Sequence, residues 1–91
     1  MNFEVLTDEE VEIVLTDMTM LNKNLTKFSH CDLVNTKTNE SIGYLVTAKN
    51  KLSNSNVAVA NETLGKPFLF KKLKDCKRAI KLMKNLEKNH D

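Results

Sequence analysis

The apolar positions of the chain follow two different periods. Val11, Val14, Leu15, Met18, Leu21 and Leu25 recur every three or four residues and fall within about 120° of one another on a helical wheel. Such a stripe faces a core. Ahead of it, Thr7-Asp8-Glu9-Glu10 has the form of a capping box, in which the Thr hydroxyl takes a free backbone N–H and Glu10 reaches back to the cap. Val11, Ile13 and Leu15 also alternate as a strand would, but the longer period and the cap together predict a helix over residues 8–23. From Lys71 to Lys88 the helical period returns. Leu73, Cys76, Ala79, Ile80, Met83 and Leu86 share one arc, and Lys74, Lys77, Arg78, Lys81, Lys84 and Lys88 occupy the arc opposite.

Between the helices the period drops to two. Ile42, Tyr44, Val46 and Ala48 alternate with Gly43, Leu45 and Thr47, and Phe28 to Val34 reads as a partner strand. Thr36 to Glu40 is polar, and Asn39 tolerates a left-handed backbone, so a β-hairpin of 28–35 and 41–48 is expected. Residues 49–56 are polar and rich in Asn and Ser, which predicts a mobile loop. Residues 57–60 can return as a third strand, 61–67 form a turn, and 68–70 are a short extended piece leading to the last helix. The predicted fold class is α+β: a small antiparallel sheet of three or four strands with an N-terminal and a C-terminal helix, in the order α-β-β-(β)-α.

Length and composition add bounds. Ninety-one residues, 41% hydrophobic and 29% charged, suit a single ordered domain spanning 1–91. A chain this short buries only ~60–65% of its extended surface, which leaves little room for a deep cleft. No apolar run reaches the ~18–20 residues of a membrane span, and the acidic start lacks the basic and apolar regions of a signal peptide, so a cytoplasmic protein with no membrane partner is expected. Cys31 and Cys76 allow one disulfide at most, and a reducing compartment disfavours even that. Three Asn-x-Ser/Thr sequons then count as chance in a chain with eleven Asn. Thirteen Lys against one Arg, with that Asn content, fit the AT-rich codons of a low-GC bacterium, its phage or a mobile element.

The net charge of +2 hides a strong polarity. Residues 1–22 carry −6 and residues 66–91 carry +6. Acids in a first helical turn are favoured by the helix dipole, which accounts for most of the negative cluster. The basic arc of the last helix has no such local cause. Cations along ~20 Å of one face can follow a phosphate backbone, and Lys rather than Arg gives contacts to backbone more than to base edges. Lys74, Lys77, Arg78, Lys81, Lys84 and Lys88 are therefore the expected contacts to nucleic acid or a nucleoprotein, against the plainer reading of a solvated face. On the first helix, Ile13 and Met20 lie opposite the core stripe, among carboxylates that include Asp17. Ile13, Met20 and Asp17 are the expected contacts to a protein, either a host target or a second copy in a homodimer.

Lys71-Lys72 open the last helix as a pair, after a helix and a run of strands. In both respects the chain resembles double-stranded-RNA-binding domains, where paired lysines hold phosphates. Lys74 and Asp75 stand where that family has Ala and Lys, and its Gly-rich entry has no counterpart here. The resemblance is one of element order and two lysines, and it carries no assignment.

The remaining chemistry is sparse. On a strand, His30 and Asp32 share one face and Cys31 points to the other, so a Cys–His nucleophile is not formed. His30, Cys31, Cys76 and His90 have no spacing that preorganises a metal site, and no glycine loop could cradle a phosphate, so neither metal nor cofactor is expected. The chain reads as non-enzymatic: a small regulatory or accessory protein that binds nucleic acid or a nucleoprotein. The competing readings are an inhibitor of a host protein acting through the acidic helix, and a structural homodimer subunit.

Overall fold

The computed structural model describes residues 4–18 and 22–88. The class is α+β: helix α1 (Asp8–Thr16), strands β1 (Leu25–Asn35), β2 (Glu40–Asn50), β3 (Ser55–Ala58), β4 (Ala60–Asn61), β5 (Lys66–Pro67) and β6 (Leu69–Phe70), and helix α2 (Leu73–Lys88). Three to four of these strands form the main antiparallel sheet, and β4 and β5 make a small hairpin of their own. No helix of the described residues is long and apolar enough to cross a membrane.

The capping box at the start of α1 is present in full. Glu10 N–H donates to Thr7 Oγ1 at 3.2 Å, and Thr7 N–H donates to Glu10 Oε1 at 3.0 Å. The helix ends earlier than its stripe suggests, at Thr16 instead of residue 23. Thr16 Oγ1 donates to the Glu12 and Ile13 carbonyls, and Asp17 N–H closes the last turn on the same Ile13 carbonyl. Asn22 then builds a turn, its Oδ1 accepting from Asn24 N–H and its carbonyl from Leu25 N–H, which starts β1. Met18 and Leu25 are buried as the stripe requires, but neither is helical, and Leu21 lies outside the described residues.

The hairpin of β1 and β2 is the largest element, with four residues between its strands and Asn39 at φ 62° in the left-handed region. Its strands run further than the polar sequence indicates. Lys49 and Asn50 continue β2 and pair with Asn56 and Ser55, so the predicted loop over 49–56 shrinks to a four-residue turn. Asn50 Oδ1 caps that turn by accepting from Leu52 N–H, and Asn54 takes φ 57°. Side chains that look like loop residues thus build the turn chemistry of a second hairpin.

The far edge of β2 is shared by two strands. β3 pairs with Thr47–Asn50 and β6 with Tyr44 and Leu45. Between them, Val46 N–H donates to the Phe68 carbonyl (3.0 Å), Phe68 N–H to the Val59 carbonyl (2.9 Å), and Val59 N–H to the Val46 carbonyl (3.0 Å). This closed ring of three hydrogen bonds satisfies the backbone where one strand leaves and the next arrives. The segment before α1 adds to the same edge, Leu6 N–H donating to the Leu69 carbonyl at 2.9 Å.

One face of the sheet carries α2, which packs across β1, β2 and β6 and against α1. Val14, Phe28, Val46, Val59, Phe70, Cys76, Ala79 and Met83 are among the buried residues of this core. Leu45 and Leu69, out of phase with Val46 and Phe70, are buried outside that cluster. Gly43 lies close to them: a Cβ placed on it would stand 2.7 Å from the Phe70 carbonyl oxygen and 3.0 Å from Val5 Cγ1.

Candidate nucleic-acid interface

Burial of Cys76, Ala79, Ile80 and Met83 fixes the rotation of α2 about its axis. Every exposed residue of the helix is then a cation except Asn85: Lys74, Lys77, Arg78, Lys81, Lys84 and Lys88. The two acids of the helix, Asp75 and Glu87, are half-buried on its flanks. No ion pair joins any of the six cations to another described residue. From Lys74 to Lys88 the face is ~21 Å long at 1.5 Å per residue. Lys71 and Lys72 precede the helix in a bend and are also exposed, which lengthens the basic surface toward its amino end.

Among the described residues, the one cation held in an ion pair lies elsewhere. Lys66 Nζ on β5 stands 3.0 Å from Glu10 Oε2 and 3.6 Å from Glu4 Oε2. The Thr7 backbone N–H and then the Lys66 ammonium hold the Glu10 carboxyl below its ordinary range, while the bond to Glu10 holds Lys66 above its own. This clamp ties the small hairpin to the first turn of α1. It joins residues 56 apart in sequence, and no local signal announced it.

On α1 the open face is acidic: Asp8, Glu9 and Glu12 are exposed, with Asp17 one residue past the helix. Ile13 stands among them at 48% exposure. Asp17 N–H donates to the Ile13 carbonyl at 3.0 Å, so these two residues are neighbours as the helical spacing predicts. Met20 lies outside the described residues.

His30, Cys31 and Asp32 are all exposed on β1. The His30 ring meets Tyr44 edge-on at 6.5 Å, and Asp32 Oδ1 accepts from Ser41 Oγ at 2.8 Å. Both thiols are free. Burial first, and the nearby Cys31 second, push the Cys76 thiol up to about 11. Among the described residues no group of three or more His, Cys, Asp or Glu is placed to hold a metal ion, and His90 lies outside them. No known protein family, characterised protein or solved structure matches this chain.

Proposed function

We propose that this chain is a small non-enzymatic regulatory or accessory protein that binds nucleic acid, free or within a nucleoprotein, through the basic face of α2. The observation that supports this reading is that six of the seven exposed residues of α2 are cations, with no acid among the seven and no ion pair to another described residue. A helix kept soluble by mixed charge gains from carboxylates interspersed among its lysines, and this face has none. Binding releases counterions condensed on the phosphates, and a single Arg among the six leaves little capacity for bidentate reading of guanine. The contacts therefore follow backbone more than sequence.

The test is fluorescence anisotropy with labelled duplex and single-stranded DNA and RNA over a salt series. About five phosphate contacts give a slope of log affinity against log salt near −4. The triple substitution Lys77→Glu, Lys81→Glu, Lys84→Glu is expected to abolish binding and leave the melting temperature within a few degrees, since all three side chains are exposed. No binding at low salt, or unchanged binding by the triple variant, overturns the proposal.

A second reading draws on Ile13. A large apolar side chain half open among carboxylates suits a protein target with an apolar socket and a basic rim, such as a nucleic-acid-binding host protein that α1 would inhibit.

A further inference from the structure

β1 forms one edge of the sheet, and its only partner strand among the described residues is β2. The direction of its free backbone groups follows from its neighbour. Val46 uses its N–H and its carbonyl on Phe68 and Val59, so both point away from β1. In an antiparallel ladder, residues opposite one another either both turn their polar groups inward or both turn them outward, in alternation. His30 stands opposite Val46, and Asp32 opposite Tyr44. His30 and Asp32 therefore present N–H and C=O to the open edge, while Ser29, Cys31 and Leu33 bond toward β2.

The pairing is regular only from Ser29 to Leu33. It is broken before Ser29, where Lys27 takes φ 52°, and again between Leu33 and Val34. The midpoint of the regular window is Cys31. Ser29, His30, Cys31 and Asp32 are exposed and the window holds no Lys or Pro, while the two breaks that flank it confine pairing with a further strand to these five residues.

We infer that two copies of this chain pair edge to edge along β1, antiparallel about a two-fold axis through Cys31. His30 of each copy then stands opposite Asp32 of the other, and their outward backbone groups form four hydrogen bonds across the axis. The regular window and the carboxylate select this register. An axis through His30 sets Asp32 opposite Phe28, beyond the break before Ser29, and an axis through Asp32 sets two carboxylates opposite each other, which repel. An axis between residues places outward-facing groups against inward-facing ones and forms no ladder. The axis runs perpendicular to the sheet, so both copies carry α2 on the same side. The two Cys31 residues form a non-hydrogen-bonded pair with Cα atoms ~4.5 Å apart, within the range a disulfide spans.

The experiment measures the mass of the full chain by light scattering and sedimentation over a concentration series without nucleic acid, so its result is independent of the proposed function. Wild type is expected to approach twice 10.4 kDa as concentration rises. Asp32→Lys removes the carboxylate that faces the imidazole at both positions and is expected to weaken association about ten-fold. The exchange variant His30→Asp with Asp32→Lys sets opposite charges against each other at both positions and is expected to restore the dimer. Diamide, which takes up the hydrogens of the two thiols, is expected to trap wild type and the exchange variant through Cys31 faster than Asp32→Lys. A monomeric mass throughout with no Cys31 crosslink overturns the inference. So does an Asp32→Lys variant that associates and crosslinks like wild type, or an exchange variant that stays as weak as Asp32→Lys.

Discussion

Gly43 is the position where one added methyl group should do most harm to the sheet. A Cβ there meets the Phe70 carbonyl oxygen at 2.7 Å, Val5 Cγ1 at 3.0 Å and Leu69 Cδ1 at 3.2 Å. The two side chains can yield by a few tenths of an ångström. The carbonyl cannot yield so easily, because it belongs to a strand paired with β2 and to a residue with no exposed surface. Gly43→Ala therefore has to spread β6 from β2 and disturb Phe70. Overpacking of this kind costs ~1–3 kcal/mol. Taken as about 2 kcal/mol, this lowers the melting temperature by ~8–16 °C for a domain of this size. Thermal melts by circular dichroism measure the shift, and urea titration with an unchanged slope shows that the loss is one of stability. Gly65→Ala is the contrasting control. Nothing lies within 4 Å of its Cβ position, and its φ of +65° makes the cost one of backbone conformation alone, ~1–2 kcal/mol. Gly65→Asn should recover part of that loss and Gly43→Ser none. A Gly43→Ala protein melting within ~4 °C of wild type, the shift of a single kcal/mol, would refute the packing argument.

Three further outcomes are expected. Ellman's reagent at mild alkaline pH should titrate one thiol quickly, Cys31, and reach Cys76 only on unfolding, because Cys76 is buried with its thiol pushed up to about 11; Cys31→Ser should remove the fast phase. Glu10 titrates below its ordinary range, so its stabilising effect is present above the ordinary carboxylate pKa and is lost as pH falls through the lowered one. The gap in melting temperature between wild type and Glu10→Gln should accordingly be widest near neutrality and shrink toward acid. Ile13→Lys should leave the melting temperature within a few degrees while weakening any protein complex made through α1; a large loss of stability would instead place Ile13 in the core.

Much of this fold can be read from local chemistry. Thr7 and Glu10 signal the helix start, Asn39 the first turn, and the Leu73–Leu86 arc the buried side of α2, because each signal acts over four residues or one helical face. The end of α1 is hidden: the apolar stripe runs on through Met18 and Leu25, although those residues reach the core from an irregular segment and from a strand. Asn50 and Asn54 read as loop residues until their side-chain and left-handed geometry shows a tight turn. The pairing of Phe70 with Tyr44, the docking of Leu6 on Leu69 and the Lys66 clamp on Glu10 join distant parts of the chain, and neither periodicity nor composition encodes them. For the basic face the sequence supplied the arc, and the structure added the exposure of all six cations and the place of Lys71 and Lys72.

The ring of hydrogen bonds among Val46, Val59 and Phe68 separates the sheet from what lies between its two ends. Residues 60–67 leave and return at one closed knot, and their tip is a turn in which Asn61 Oδ1 accepts from Leu64 N–H and the Asn61 carbonyl accepts from Gly65 N–H, with Leu64 packed against the core and Glu62 and Thr63 exposed. Doubling the length of such an excursion costs only ~0.6 kcal/mol of closure entropy. The tip at Glu62–Thr63 is thus a natural insertion point. A fluorophore or affinity handle placed there leaves α2, β1 and the Lys66 clamp untouched, and evolution has the same freedom to lengthen it.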